Sequence, residues 1–145
     1  MTRFAGGPDE SPGFLLWHAT LRWQRTIAAV LAPLGLTHVQ FVLLACAWWL
    51  NGQGHTPNQL TLAAQAGTDV KMTSQVLRRL EAKGLIERRT DPRDTRARTL
   101  HITAHGSALA RKAIAAVERT DDEFFGPTTA TFVRTLRRLG QPPAV

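Results

Sequence analysis

No Asp, Glu, Lys or Arg occurs between residues 26 and 68, and this gap limits the folds open to the chain more than any other feature. A segment of that composition has to be buried, because apolar surface is driven out of water. Its most apolar part, residues 41–50, is shorter than the roughly 20 residues that a membrane-spanning helix needs. We therefore expect a buried helix there, inside one compact domain, and no membrane partner.

The basic residues are concentrated just after this gap. The chain has 18 Lys and Arg against 11 Asp and Glu, a net charge of +7, and nine of those 18 lie between residues 71 and 98. A local excess of positive charge favours a polyanionic partner, which can be a nucleic acid or an anionic membrane surface. Charge alone does not choose between the two.

Capping residues and periodicity divide the chain into six predicted helices and one hairpin. Thr37 with Gln40 has the spacing of a capping box, and Thr56 with Pro57 suggests an N-cap followed by proline at the first helical position. Gly67 and Gly84 mark turns after the third and fourth helices. The first three predicted helices cover residues 13–34, 38–50 and 57–65, and the fourth, capped by Thr68 or Asp69, continues to residue 83. A long fifth helix follows Thr103 and runs through Val117, and Gly126-Pro127 separates it from the last helix.

The first predicted helix carries two apolar stripes, which contain Trp23 and Ile27 on one side and Phe14 and Trp17 on the other. One stripe can pack on its own domain and the other on a second subunit. A single helix deep inside one core gives the same pattern, and the sequence leaves both readings open.

The third and fourth predicted helices, joined by the Gly67 turn, and the segment up to Ile102 predict a helix-turn-helix followed by a β-hairpin wing. After Gly84 the apolar period changes from helical to two, as in strands. On the fourth helix, Met72, Val76, Leu77 and Leu80 are expected on the core side. The opposite side presents side chains suited to base edges and phosphates, although polar residues on most helices are simply solvated. The candidate groove-facing residues are Lys71, Ser74, Gln75 and Arg78.

Arginines cluster in the hairpin. At its tip, Arg93 is placed to enter a narrow minor groove, and we expect Asp91 and Asp94 to orient it, although Asp-Pro is also ordinary turn chemistry. Arg96 is included in the candidate wing site. Arg88, Arg96 and Arg98 are phosphate candidates or solvated strand residues.

Residues 36–41, 68–85 and 87–97 together resemble the MarR (multiple-antibiotic-resistance regulator) family, and the resemblance covers roughly residues 13–117. It implies a homodimer with intertwined terminal helices that binds a pseudo-palindromic operator in double-stranded DNA and is often released by a small ligand. The expected fold is mainly α with a small β-hairpin wing (α+β), a winged helix-turn-helix. Residues 1–12 would form a flexible arm and residues 13–145 one MarR-like domain. Within it, residues 36–103 are the winged lobe, and residues 13–34 and 104–140 are dimerisation helices.

Aromatic residues on the first two helices suggest a pocket for a small aromatic or phenolic effector, although tryptophan on a helix is more often core or interface. The candidate pocket residues are Trp17, His18, Trp23, Trp48 and Trp49.

Other functional classes find less support in the sequence. The histidines show no metal-ligand spacing, Cys46 lies among apolar residues as a core position, and we expect no metal and no cofactor. No nucleophile motif, phosphate loop or catalytic carboxylate pair is present, so we do not expect an enzyme. Our leading hypothesis is a transcription regulator that acts as a repressor in the cytoplasm. A protein that coats DNA without sequence preference is the alternative, and a ligand-binding enzyme is the third class.

Overall fold

The computed structural model describes residues 3–144 and confirms a mainly helical fold with one antiparallel hairpin. The elements in chain order are α1 (Pro12–Leu31), α2 (His38–Gly52), α3 (Gln59–Ala66), α4 (Val70–Ala82), β1 (Ile86–Thr90), β2 (Arg98–Ile102), α5 (Ala104–Phe125) and α6 (Ala130–Gly140). Short 3₁₀ helices precede α1 at Pro8–Glu10 and follow it at Ala32–Leu34. Of the arm expected at residues 1–12, residues 1 and 2 lie outside the described part of the chain.

Each α-helix begins at a side chain that accepts a hydrogen bond from its first turn, which satisfies a backbone N–H that the helix itself leaves without a partner. At α2 the predicted capping box is confirmed: the Thr37 hydroxyl accepts from the Gln40 backbone N–H, and the Gln40 side chain accepts from the Thr37 N–H. The other N-caps are Ser11, Asn58, Asp69, Thr103 and Thr129.

The predicted start of α3 is wrong. Its N-cap is Asn58 rather than Thr56, and its first helical residue is Gln59 rather than Pro57. The reason is tertiary: the Pro57 carbonyl accepts a hydrogen bond from the backbone N–H of Leu100 on β2, at 2.9 Å. Residue 57 thus pairs with the edge of the hairpin, and the helix starts after it.

The turn between α3 and α4 depends on backbone conformation and on buried hydroxyls. Gly67 adopts φ 72°, in the left-handed region that glycine enters without steric cost. Beyond the turn, the buried Thr73 donates to the Asp69 carbonyl at 2.7 Å, and its hydroxyl lies 2.6 Å from that of Thr68. These bonds fix the start of α4 relative to α3.

Helix α2 is the centre of the core. It contacts α1, α3, α4, α5 and β2, and the buried Leu43 and Leu44 have no exposed surface. Cys46 on the same helix is half-buried against this core, as predicted for a small apolar position, and burial raises the pKa of its thiol. Within residues 3–144, no single helix is long and apolar enough to span a membrane. Residues 12–34 and 38–52 taken together pass that test by length and composition, but the two segments are bent by 74° relative to each other.

The β2 edge of the hairpin is hydrogen-bonded to the end of α2. Strands β1 and β2 pair from Ile86 opposite Ile102 to Thr90 opposite Arg98. The Asn51 side chain at the end of α2 accepts from the Ile102 N–H at 2.7 Å and donates to the Leu100 carbonyl at 3.2 Å. These two bonds attach the hairpin to α2, in addition to the pairing between its own strands.

The terminal helices leave large apolar side chains exposed. On α1, only Ile27 and Leu31 are buried, and residues 12–19 are exposed in the part of the chain that the structure describes. No residue of α6 is buried. The exposed apolar side chains on these helices are Phe14, Leu15, Leu16, Trp17, Phe125, Phe132, Val133, Leu136 and Leu139.

Candidate nucleic-acid interface

Helix α4 presents one polar and one apolar side. Lys71, Gln75 and Arg78 are exposed and Ser74 is half-buried, so the four candidate groove-facing residues share the outer half of the helix. The opposite half is buried in the core through Thr73, Val76, Leu77 and Leu80. This is the arrangement that a groove-reading helix requires, since one side must be free for base edges.

Two positions on α4 differ from the prediction. Met72, expected on the core side, is 42% exposed, whereas Thr73 takes the core position and is fully buried. Met72 lies about 100° around the helix from both Lys71 and Thr73, at the border between the two sides. The hydrogen bonds of the Thr73 hydroxyl hold Thr73 on the core side, and Met72 is therefore left exposed.

At the wing tip, the two aspartates bind backbone rather than the Arg93 guanidinium. Asp91 accepts from the Arg93 backbone N–H at 2.9 Å, and Asp94 accepts from the Arg96 N–H at 3.0 Å. Asp94 also lies 3.7 Å from Arg96 Nε in an exposed ion pair. The expectation that both aspartates orient the Arg93 side chain is therefore wrong, since they set the turn on which it is carried. Arg93 itself is exposed.

Arg88 on β1 is not a solvated strand residue. Its side chain is 19% exposed, and Arg88 Nε lies 3.4 Å from Glu81 Oε2 on α4. Two of its nitrogens are buried without a hydrogen-bond partner in the described structure. Arg88 thus joins the base of the wing to the edge of α4 that also carries Arg78, one turn earlier.

Arg89 and Arg98 remain on the surface. Arg89 pairs with Glu87 at 2.9 Å, with both side chains more than half exposed, so the pair contributes little stability. On the face of the hairpin opposite the core residue Leu100, the Thr99 hydroxyl lies 2.8 Å from His101 Nε2. Burial and the nearby Arg89 charge lower the pKa of His101, against the opposing effect of Glu87.

The contacts of Asn51 were missed by sequence reasoning, which treated it as part of a helix-ending turn. Its side chain binds the backbone of β2 and the carbonyl of His55. Only its polarity, next to an apolar run, distinguishes it in the sequence, and that feature does not identify the strand it binds.

The five aromatic candidates for an effector pocket lie in different surroundings. Trp23 Nε1 donates to Asp121 Oδ1 at 2.8 Å, and its ring meets His38 edge-on with centroids 5.1 Å apart. Burial lowers the pKa of His38, while the Asp121 carboxylate opposes that shift. His18 stacks edge-on with Phe14 at 4.6 Å. Trp48 is half-buried against the core, and Trp17 and Trp49 are 64% and 47% exposed.

The Trp23, His38 and Asp121 cluster joins α1, α2 and α5. It lies where the long terminal helices meet the first helix of the winged lobe. Within residues 3–144, no group of three His, Cys, Asp or Glu side chains is arranged to hold a metal ion.

A short helix, a glycine turn, an amphipathic second helix and an arginine-bearing hairpin define a winged helix-turn-helix protein. The MarR family model matches residues 36–97, which run from the start of the lobe to the end of the wing tip. An HTH-type transcriptional regulator of Bacillus subtilis, YdcH, is 45% identical over 119 residues, covering 82% of this chain and 81% of YdcH. The chain belongs to the MarR family of transcription regulators.

Solved structures of this family agree with the fold over nearly the whole chain. CouR from Rhodococcus jostii RHA1, bound to p-coumaroyl-CoA, superposes with a TM-score of 0.82 at 27% identity, covering 96% of this chain and 98% of CouR. A mutant MarR from E. coli, complexed with operator DNA, gives 0.73 at 26% identity, covering 89% and 90% of the two chains.

Proposed function

We propose that this regulator binds its operator as a homodimer, with the outer side of each α4 in a major groove and each wing tip in the neighbouring minor groove. The observation that carries the proposal is the ion pair between Glu81 and Arg88, which holds the wing beside the polar edge of α4. The exposed Lys71, Gln75 and Arg78 and the wing arginines then form one cationic surface. Gln and Arg suit adenine and guanine edges, and Arg93 suits the negative potential of a narrow minor groove.

The second subunit is supported by the apolar side chains that the terminal helices expose. Phe14, Trp17, Leu136 and Leu139 carry between 43% and 64% of their surface in water in one chain. Such a concentration of apolar surface is typical of a subunit interface. In this proposal, residues 36–103 form the DNA-binding lobe and residues 13–34 and 104–140 the dimerisation helices. A two-fold dimer presents two α4 helices to half-sites about one helical turn apart.

Release by a small aromatic or phenolic ligand is the second part of the proposal. The cluster of Trp23, His38 and Asp121 supplies aromatic surface with polar tips at the junction of α1, α2 and α5. A ligand bound there would act on the angle between the lobe and the dimerisation helices. The complex of CouR with p-coumaroyl-CoA shows a relative of this fold with a phenolic ligand bound.

Regulation by operator binding, with repression as the outcome, places the protein with the chromosome in the cytoplasm. It requires no catalytic group, and we propose no enzymatic activity.

Selection of bound duplexes from random sequence tests the proposal, followed by footprinting on the selected site. We expect a discrete pseudo-palindrome, protected on both half-sites, that Arg78→Ala binds with relaxed preference at one base pair. Arg111→Ala, at an exposed arginine of α5, is the matched control and should select the same site. Uniform protection without a consensus would instead identify a protein that coats DNA. Repeating the selection with phenolic and aromatic acids tests release; unchanged binding with all of them would remove the effector from the proposal.

A further inference from the structure

Three exposed apolar side chains near the starts of α3 and α4 are not accounted for by the dimer. Leu60, Val70 and Met72 are 64%, 45% and 42% exposed, and they lie in the first turns of α3 and α4 rather than on the terminal helices. Apolar surface held in water without a partner contributes nothing to folding. A side chain that stays exposed at the border of a binding surface therefore suggests an apolar feature on the ligand.

Val70 and Met72 border the groove-facing side of α4 on opposite edges, and of the two Met72 has the longer and more flexible side chain. It follows Lys71 directly and precedes Gln75 by one helical turn, about 60° around the axis from it. Its backbone N–H is bound to Asp69 Oδ2 at 2.9 Å, so the start of the helix at this residue is fixed. Helical side chains lean toward the N-terminus, which directs Met72 toward the end of α4 that enters a groove.

The surroundings of Met72 identify the ligand as DNA rather than another protein surface. Lys71, Gln75 and Arg79 are exposed on the same edge of α4, and the nearby carboxylate of the N-cap Asp69 is bound to the Met72 backbone N–H. A cationic rim of this kind favours a polyanion. The apolar group that a major groove offers is the 5-methyl of thymine.

We propose that Met72 is a specificity-determining residue that packs its thioether against the 5-methyl group of a thymine in each half-site. The inference rests on the proposed operator binding and adds a base preference that hydrogen-bonding residues do not supply. An unbranched thioether adapts its shape to a methyl group without needing a hydrogen-bond partner. Leu60 differs because α3 is the helix that crosses the DNA backbone in this motif.

Replacing thymine by deoxyuridine removes only the methyl group and leaves base pairing unchanged. The test uses the selected duplex with each thymine of the half-site replaced in turn, symmetrically in both half-sites, and fluorescence anisotropy at one salt concentration. Burial of one methyl group corresponds to about a fourfold change in affinity, so two half-sites give about fifteenfold. We expect wild type to lose that factor at one thymine position and Met72→Ala to lose nothing further there.

Leu60→Ala is the control, because Leu60 is an apolar residue even more exposed than Met72, and it should keep the wild-type sensitivity to deoxyuridine. Circular dichroism checks that both variants remain folded. An operator without thymine in the contacted half-site, wild-type binding insensitive to every replacement, or full sensitivity retained in Met72→Ala would each overturn the inference. Failure to select any discrete operator would instead overturn the proposed function on which it rests.

Discussion

Replacing Asn51 by alanine should loosen the wing from the rest of the lobe. The Asn51 side chain bridges the end of α2 and the edge of β2, where it accepts from Ile102 N–H at 2.7 Å and donates to the Leu100 carbonyl at 3.2 Å. A third bond, to the His55 carbonyl at 2.9 Å, is exposed to solvent. The variant removes all three bonds and leaves a partly buried N–H on β2 without its partner.

The expected magnitude follows from the burial of these bonds. Each partly buried bond contributes about 0.5 to 1.5 kcal/mol, and a backbone group left without a partner adds a desolvation cost of about 1 kcal/mol or more. The exposed bond to His55 contributes little, because water replaces it. We therefore expect Asn51→Ala to lower the free energy of unfolding by about 2 to 4 kcal/mol.

Urea unfolding at one fixed protein concentration measures this change, since the stability of a dimer depends on concentration. Gln53→Ala is the matched control: Gln53 is exposed two residues further on, and surface changes are usually within about 0.5 kcal/mol. Amide exchange at Ile102 should accelerate in Asn51→Ala alone. A loss no larger than that of the control would refute the role we assign to Asn51.

Packing, protonation and assembly each supply one further prediction. Gly106→Ala should lower the melting temperature, because a Cβ there would collide with the Leu85 carbonyl, whereas Gly13→Ala, in open space, should not; equal melting temperatures would contradict this. The pKa of His38 is lowered in the folded state, so the unfolded state binds the proton first as the pH falls, and the free energy of unfolding decreases. In urea unfolding, His38→Gln should reduce that decrease between about pH 7.5 and 5.5. An identical decrease in the variant would exclude His38 as its source. Leu136→Asp should shift sedimentation toward the 16.0 kDa single chain, and an unchanged dimer would exclude α6 from the interface.

Local chemistry explains what the sequence predicts well. The Thr37 capping box, the Gly67 turn and the change of apolar period after Gly84 each depend on residues within one or two turns of the chain. The winged helix-turn-helix could therefore be assembled from short patterns. The two apolar stripes of α1 left two interpretations open, and in the structure only Ile27 and Leu31 of that helix are buried.

Contacts between distant residues explain what the sequence does not predict. The start of α3 differs from the prediction because the Pro57 carbonyl pairs with Leu100, and no local pattern records that bond. Packing between neighbouring elements decides the other two: Arg88 is buried where β1 packs against Glu81 near the end of α4, and Thr73 takes the core position expected for Met72. These are also the residues that decide how the wing and α4 present their surface, so the details of the site needed the structure.

The salt dependence of operator binding tests the cationic surface most directly. Binding of wild type, Arg93→Ala and Arg111→Ala to the selected duplex is measured across a range of salt concentrations. Each lost phosphate-like contact changes the slope of log K against log salt by about 0.9, so two wing tips per dimer should reduce its magnitude by about two units in Arg93→Ala. Arg111→Ala should keep the wild-type slope. A slope unchanged by Arg93→Ala, with unchanged affinity, would show that the wing does not contact DNA.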